Sequence, residues 1–287
     1  MNYLFWILVV AFIVLAVWFA YEIVFGKDEM PDPIPYLDVP EDTGVRVPQK
    51  SANPKKIEAV MVCVNYGDFL AWTLPMNKIH FNRLVVVTDS KDTYTQEICS
   101  YYHVECVVTD SFYVGGGFNK ANGINFGLGK LDKDGWVVHL DADIALPPRT
   151  GQILRQLPLD ENSIYGIDRS SVFGLDNWIR FLQNPVNQHS STGFLYSGYV
   201  HGARLLNLDR DGWIPIGYFQ MWCPSASRVV KYPNFHQGAD RTDALFPYNW
   251  ERKNRHLIPE LICYHLESEE SELGINWRGR KTRRFEL

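Results

Sequence analysis

The chain has 287 residues, with 28 Lys or Arg against 33 Asp or Glu, which gives a net charge of −5 at pH 7. This mild charge excludes a general nucleic-acid-coating protein, and no nucleic-acid partner is expected. Hydrophobic residues make up 46% and charged residues 21%, so the chain can bury a core and is not disordered as a whole. The five cysteines include no C-x-x-C pair, which argues against a zinc ribbon or a disulfide framework.

The first feature along the chain is an uncharged apolar run from Tyr3 to Tyr21. As a helix rising ~1.5 Å per residue it would span about 28 Å, which matches a bilayer core. A cleaved signal peptide would have basic residues before a shorter apolar run, whereas no Lys or Arg precedes this run and bulky Trp18 and Phe19 lie near its end. We therefore expect residues 1–25 to be a single-pass transmembrane anchor, with a signal peptide as the alternative.

A proline-rich segment follows the apolar run. Residues 26–56 contain six of the 16 prolines and little apolar periodicity, which is typical of an extended spacer, so we expect a stalk here. The remaining residues, 57–287, are within the size range of one large domain. No asparagine stands in an N-x-[ST] acceptor sequence, and this favours a cytosolic location for that domain at the membrane.

Strand-like and helix-like segments alternate through the first half of this domain. The predicted strands are 57–64, 84–88, 104–108, 136–140 and 163–167, and the predicted helices are 67–80, 93–102 and 119–131. Pro75 is expected to break or kink the first helix. The alternation predicts an α/β fold with a mainly parallel sheet and helices on both faces, whose ligands bind beyond the carboxyl ends of the strands.

Beyond about residue 170 the sequence is rich in glycine and aromatic residues, as in 178–182, 193–199 and 217–222. We expect this part to shape an acceptor pocket. Ordinary aromatic core is the alternative for any one of these residues.

One sequence pattern, D-x-D, indicates a candidate binding site for a divalent cation. D-x-D occurs at residues 132/134, 141/143 and 209/211, but only Asp141 and Asp143 directly follow a buried-looking strand, WVVHL. The other two copies lie in Asp-Gly turns. Residues two apart in an extended segment point the same way, so the pair predicts a hard-oxygen site for Mg²⁺ or Mn²⁺, ions that bridge substrate phosphates. An acidic turn after a strand is the alternative.

Together with other segments of the chain, this motif resembles those of the GT-A fold glycosyltransferases, particularly the family 2-like members. The resemblance covers about 57–283. It is carried by VNYGDFLAWTLP (64–75), VVVTDSKDTYTQEIC (85–99), GGGFNKANGINFGL (115–128), WVVHLDADIALPP (136–148), YHL (264–266) and NWRGRKT (276–282). It implies a GT-A type, Rossmann-like sheet with a nucleotide-sugar half at 57–168 and, at 169–287, an acceptor half with C-terminal metal and diphosphate elements.

The resemblance also implies an activity. A hexosyl group would pass from a nucleotide-diphosphate sugar, expected to be a UDP-sugar, to an acceptor hydroxyl with Mn²⁺ or Mg²⁺ as cofactor. The anchor suggests a glycan or lipid-linked acceptor, because tethering raises the local concentration of membrane-bound substrates. A noncatalytic membrane-tethered protein that binds nucleotide sugars and a nucleotidyltransferase remain alternatives.

The resemblance also assigns site residues, by their positions in the matching motifs. The residues that would surround the nucleotide are Asn65, Tyr66, Asp89, Asn119 and Lys120. Asp141 would approach the ribose or the metal, and Asp143 would bind the metal directly. His265 resembles an additional metal ligand from a late strand, with a core histidine as the alternative.

Two further roles are expected in the second half. Arg278, Arg280 and Lys281 in the basic C-terminal segment would clamp the diphosphate, with an ordinary basic terminus or contact to anionic lipid as the alternative. An inverting transfer needs a general base, and Asp243 resembles the position of the family's catalytic carboxylate. The usual Glu-Asp pair is missing there, and an acid at a helix N-terminus is the alternative for Asp243.

Overall fold

A computed structural model describes residues 55–113, 117–183, 200–201, 214–233, 242–268, 280 and 282–286. The anchor expected at 1–25 lies outside the described residues, as does the expected stalk except for Lys55 and Lys56. Within the described ranges, no helix is both long enough and apolar enough to cross a membrane.

The described residues contribute nine strands to one sheet. The strands are β1 Ile57–Val62, β2 Arg83–Thr88, β3 Glu105–Val108, β4 Trp136–Asp141, β5 Ile144–Ala145, β6 Ile164–Phe173, β7 Val200–His201, β8 Phe219–Trp222 and β9 Arg255–Glu267. The helices are α1 Gly67–Asn77, α2 Thr93–Tyr101, α3 Lys120–Leu128, α4 Thr150–Gln156, α5 Leu175–Leu182, α6 Pro224–Ser227 and α7 Thr242–Leu245. All five strands and all three helices predicted for the first half are present, with shifted ends.

The sheet is mixed rather than mainly parallel. Its order is β3-β2-β1-β4-β8-β6-β9-β5, with β7 beside β6. The strands β3, β2, β1 and β4 pair in parallel, whereas β8 runs antiparallel to both of its neighbours, β4 and β6. The prediction therefore holds for residues 57–141. Beyond them β6 and β9 still pair in parallel, but β5, β7 and β8 pair antiparallel with their neighbours, because the regular strand–helix alternation that dictates parallel pairing ends at β4.

Helix α3 packs closely on the parallel half of the sheet. Ala121, Ile124 and Leu128 of this helix share a buried cluster with valines of β1 and β2. A Cβ atom on Gly127 would lie 2.3 Å from a methyl carbon of Val60 and 2.7 Å from one of Val87, so only glycine allows this approach. The contact fixes the first residue of α3, Lys120, near the carboxyl end of β4.

Helix α1 continues through Pro75 and ends at Asn77, so the expected break is wrong. Proline has no N–H to donate to the carbonyl of Ala71, four residues earlier. The hydroxyl of Tyr102 donates to that carbonyl at 3.2 Å instead. A side chain from the next helical segment thus satisfies the group that proline leaves without its helical partner.

Aromatic side chains of the second half form a core around α5 and β9. Trp178 and Phe181 are buried, and the Phe181 ring lies 4.5 Å from the Tyr264 ring. Trp178 and Phe181 are therefore ordinary aromatic core, which was the alternative to a place in an acceptor pocket. Trp222 at the end of 217–222 is also fully buried, whereas 193–199 lies outside the described residues.

Candidate active site

The D-x-D segment forms a turn. Strand β4 ends at Asp141, residues 142 and 143 turn, and β5 begins at Ile144. The prediction that both carboxylates lie on one extended segment is therefore wrong. Asp141 contacts Lys120, whereas Asp143 faces His265. Burial raises the pKa of Asp141, and the nearby Asp143 carboxylate raises it further.

Helix α1 holds the backbone of this turn. Thr73 Oγ1 donates to the carbonyl of Ala142 at 2.6 Å. Asn77 Nδ2 donates to the carbonyl of Ile144 at 2.6 Å, and Asn77 Oδ1 accepts from the N–H of Leu146 at 2.8 Å. Thr73 and Asn77 are four residues apart, so they share one face of the helix, and both are fully buried. The turn is therefore fixed by side chains far from it in sequence.

Strand β9 holds the turn from the other side. It pairs antiparallel with β5, so that Ile144 lies opposite His265, and the N–H of Leu266 donates to the carbonyl of Asp143 at 2.9 Å. His265 Nε2 is 3.5 Å from Asp143 Oδ2. The predicted proximity of Asp143 to the late histidine is present in the structure.

The Asp143–His265 pair fits a divalent cation. Asp143 Oδ1 is buried without a hydrogen-bond partner, and a carboxylate oxygen beside an imidazole nitrogen is a donor set that Mn²⁺ accepts. Burial would raise the pKa of Asp143, but His265 outweighs it and holds the pKa below its usual value. Burial likewise opposes the charge on His265, yet the carboxylates of Glu267 and Asp143 raise its pKa to about 9. A positive charge is therefore favoured at this point.

A larger acidic group lies elsewhere. Among the described residues, three candidate ligand atoms come within 4.8 Å of one another only at Glu58, Asp132 and Asp134. The Lys56 ammonium lies 2.7 Å from Asp132 and 2.9 Å from Asp134, so this group already has a cation. Asp141 thus does not complete a compact three-ligand group with Asp143 and His265.

Lys120 joins two of the expected site carboxylates. Its Nζ is 2.5 Å from Asp141 Oδ1 and 4.0 Å from Asp243 Oδ2. Burial lowers the pKa of Lys120, but the surrounding carboxylates outweigh burial and raise it. Burial raises the pKa of Asp243 to about 6, which Lys120 offsets only in part. Lys120 therefore lies within 4.0 Å of both Asp243, the expected general base, and Asp141 of the D-x-D segment.

The residues expected around the nucleotide lie along the carboxyl edge of β1 and β2. Asn65 is exposed in a left-handed conformation (φ 59°), and its N–H donates to Asp92 Oδ2 at 2.7 Å. Asp89 is buried, and its Oδ2 accepts from the Tyr113 hydroxyl at 2.7 Å. Asn119 caps α3 by accepting from the N–H of Asn122 at 3.2 Å. Asp89 and Asn119 therefore have structural partners at the predicted edge.

Arg280 is an anchor for the C-terminal segment. It forms a bidentate ion pair with Asp68 of α1, and the N–H of Phe285 also donates to Asp68 Oδ2 at 2.6 Å. Its remaining N–H groups donate to the carbonyls of Asn65, Thr282 and Arg283. All five N–H donors of the guanidinium are thus used, which leaves none for a diphosphate. The clamp role expected of Arg280 is not supported by this arrangement.

The other two expected clamp residues, Arg278 and Lys281, lie outside the described residues. Tyr66 packs under Arg280, with the guanidinium 5.0 Å from the centre of its ring. Burial raises the pKa of Tyr66 far above its usual value, so its hydroxyl stays protonated.

A cavity of about 540 Å³ opens beside Asn65, between the first turns of α1 and α2. Lys91, Thr93 and Arg284 line it, whereas Asp141, Asp143, Asp243 and His265 do not. The cavity therefore adjoins the residues expected around the nucleotide rather than the carboxylate group.

Several residues of the site were missed by sequence reasoning. Glu267 contacts His265, and His139 lies 3.5 Å from Asp141 through its Nε2. Both are two residues from a predicted site residue on the same strand, and alternate strand residues share a face, so this spacing was an available signal. Asp68, Thr73 and Asn77 gave no such signal, because their partners lie far away in the chain.

The chain is similar to known proteins only at the level of solved structures. No protein-family model and no curated protein matches this sequence. Among solved structures, the chain is similar to a mannosyltransferase from Pyrobaculum calidifontis in complex with GDP-Man and Mn²⁺, at 12% identity and a TM-score of 0.45. The match covers 76% of this chain and only 59% of that one.

A second similar structure is glucosyl-3-phosphoglycerate synthase from Mycobacterium tuberculosis in complex with phosphoglyceric acid. Identity is 12% over 77% of this chain and 75% of that chain, with a TM-score of 0.47. The same synthase has also been solved with Mn²⁺ and UDP-glucose. Similarity at this level does not by itself assign an activity to this chain.

Proposed function

We propose that the protein is a glycosyltransferase that uses Mn²⁺ or Mg²⁺ to transfer a hexosyl group from a nucleotide-diphosphate sugar, specifically a UDP-sugar, to an acceptor hydroxyl. The observation that carries the proposal is the pairing of Asp143, with its unpartnered buried oxygen, and His265 next to the Asp141–Lys120–Asp243 group. Asp143 and His265 would hold the ion, with Asp141 beside them. Such an ion stabilises the charge that develops on a nucleoside diphosphate leaving group.

Asp243 is the proposed general base. A pKa of about 6 leaves most of this carboxylate ionised at neutral pH, while keeping it more basic than an ordinary aspartate. It can therefore take the proton of the acceptor hydroxyl as the new bond forms. A single displacement of this kind inverts the anomeric configuration, which is the outcome we propose. Lys120 favours the charged forms of the half-buried carboxylates Asp141 and Asp243.

The nucleoside would lie along the edge formed by Asn65, Tyr66 and Asp89, near the start of α3 with Asn119. Support for this placement comes from the position of Asn65 and Asp89 directly after β1 and β2, where ligands of such sheets bind. Arg278 and Lys281 remain proposed contacts of the diphosphate.

From the sequence we also propose that residues 1–25 anchor the protein in a membrane, with the catalytic domain on the cytosolic side and a glycan or lipid-linked acceptor. Membrane fractionation of the full chain and of a variant without residues 1–25 tests the anchor. Retention of that variant in the membrane fraction would contradict it.

Donor turnover tests the proposed activity. The full-length protein in detergent is incubated with a panel of nucleotide sugars and Mn²⁺ or Mg²⁺, and release of the nucleoside diphosphate is measured. We expect turnover that EDTA abolishes. Asp143→Ala should lower it by about three orders of magnitude, since one charge pair at ~4 Å and an effective dielectric of ~20 is worth about 4 kcal/mol.

Asp134→Ala is the matched control, because it removes the second aspartate of another D-x-D copy that lies before β4 rather than after it. Its turnover should equal that of the unaltered protein. Metal-independent binding of a nucleotide sugar without turnover would instead identify a binding protein. Turnover of nucleoside triphosphates alone would identify a nucleotidyltransferase.

A further inference from the structure

We infer that Glu267 is a positioning residue of the candidate metal centre, which orients His265 so that its Nε2 faces Asp143. This inference rests on the proposed function, because it assumes that His265 and Asp143 hold a divalent cation. Glu267 would contact neither the proposed ion nor the sugar donor. Its effect passes through the imidazole.

The geometry places His265 between two carboxylates. Glu267 Oε1 is 2.9 Å from His265 Nδ1, and the opposite nitrogen, Nε2, is 3.5 Å from Asp143 Oδ2. A neutral imidazole has one N–H and one nitrogen lone pair. Nδ1 and Oε1 are in ion-pair contact without hydrogen-bond geometry. Loss of the Nε2 proton to an incoming cation would leave the Nδ1 proton beside Glu267 and the lone pair on Nε2, on the side of the unpartnered oxygen of Asp143. Histidines that bind metals commonly have such a carboxylate on their second nitrogen.

The backbone makes this contact a fixed feature of the fold. His265 and Glu267 are alternate residues of β9, so their side chains leave the strand on the same side. β9 is hydrogen-bonded on both sides here, with Ser171 of β6 and Ile144 of β5 opposite His265. The carbonyl of Glu267 also accepts from the N–H of Gly174 at 2.8 Å. The carboxylate is therefore held behind the imidazole by strand pairing.

Burial argues that the Glu267 carboxylate has a specific partner. Its side chain is only 6% exposed, and an isolated carboxylate in such a place would be costly. Among the described residues, the ion pair with His265 is the contact that its side chain makes with a cationic group. A carboxylate placed for stability alone would need no relation to Asp143, whereas this one contacts the ring nitrogen opposite the one that faces Asp143.

The affinity for Mn²⁺ alone tests the inference without any activity assay. Free Mn²⁺ is titrated by electron paramagnetic resonance against the full chain and its Glu267→Ala, Glu267→Gln and Asp143→Ala variants. Loss of an outer partner of a metal ligand typically weakens metal binding by about 10–100-fold, which we expect for Glu267→Ala. Glu267→Gln should lose less, because its amide oxygen keeps a partial negative charge beside Nδ1. Should the alanine variant fail to fold, the glutamine variant carries the test.

Glu260→Gln is the matched control, since Glu260 is an exposed glutamate on the same strand. It should leave Mn²⁺ affinity unchanged. If both Glu267 variants bind Mn²⁺ as tightly as the unaltered protein while Asp143→Ala does not, the inference is overturned and the proposed metal centre stands. If Asp143→Ala also binds normally, the proposed metal centre itself is wrong.

A second readout separates positioning from simple stabilisation. Pulsed electron paramagnetic resonance of bound Mn²⁺ detects the coupling of a coordinating imidazole nitrogen. We expect this coupling in the unaltered protein and its loss or weakening in Glu267→Ala. A structural role alone would lower the melting temperature of the variant and leave the nitrogen coupling intact, which would contradict positioning.

Discussion

Asp243 stays protonated in a pH range where an exposed aspartate has lost its proton, because desolvation raises its pKa and the nearby Lys120 ammonium offsets this only in part. As the proposed base it must be ionised, so turnover should fall about tenfold per pH unit below about pH 6. Asp243→Asn should lower turnover by about 10²–10⁴-fold. Rate profiles from pH 5 to 8 measure both effects, with the exposed Asp176→Asn as control. An acidic limb that persists in Asp243→Asn would assign the base to another residue.

The same carboxyl group affects stability with a defined sign. Its folded pKa of about 6 lies above the ordinary value of 3.8, so the folded state binds the proton more tightly than the unfolded state. The stabilisation from this group is therefore fully present below about pH 4 and is lost as the pH rises through 6.

Lys120 balances carboxylates that would otherwise be buried without a partner. Lys120→Met should destabilise the fold by about 3 kcal/mol at pH 7, because Asp141 and Asp243 lose their shared cation. The loss should shrink near pH 4, where these carboxyl groups take up protons. Urea unfolding at the two pH values measures the difference, and exposed Lys130→Met should change neither. An equal loss at both pH values would show that packing, not charge, is the cause.

At the scale of elements, α1 determines the shape of the turn between β4 and β5, which carries Asp143. Asn77→Ala would leave the carbonyl of Ile144 and the N–H of Leu146 buried without partners, at a cost of about 1–3 kcal/mol each. We expect lower stability in denaturant unfolding and weaker Mn²⁺ binding.

Asn77→Asp provides a matched comparison, since it keeps an acceptor for the Leu146 N–H and loses the donor to Ile144. Its effect on Mn²⁺ binding should be smaller than that of Asn77→Ala. Unchanged Mn²⁺ affinity in both variants would show that β9 alone positions Asp143.

The limits of sequence reasoning are also visible at this scale. Strands β1 to β4 follow from short β-branched runs between turn signals, which are local properties. The continuation of α1 through Pro75 does not follow from local sequence. The carbonyl of Ala71, which Pro75 cannot hydrogen-bond, accepts instead from the hydroxyl of Tyr102, a residue outside α1. Strand β9 contains Pro259, which argues against a central strand, but the residue falls at an irregularity of the β6–β9 register where a ladder hydrogen bond is not required.

At the scale of the whole molecule, Arg280 connects the C-terminal segment to α1. Arg280→Met should destabilise the fold by up to about 3 kcal/mol, because Asp68, whose side chain is 11% exposed, is left without its cation. Asp68→Asn should show a similar loss, and the double variant should be less destabilised than the sum. Chemical unfolding measures this cycle, with exposed Lys253→Met as control. A diphosphate clamp predicts the opposite result, weaker nucleotide binding with unchanged stability.

The sequence by itself determined the α/β half of the sheet and the position of Asp141 and Asp143 after β4, because these depend on local periodicity and residue chemistry. His265 and Asp243 became candidates through the resemblance to the GT-A glycosyltransferases. Only the tertiary structure decided that Asp143 turns toward His265, that Lys120 joins Asp141 to Asp243, and that Arg280 pairs with Asp68. These contacts depend on the pairing of β5 with β9 and on the packing of α1 and α3. Such long-range contacts leave no periodic signal in the chain.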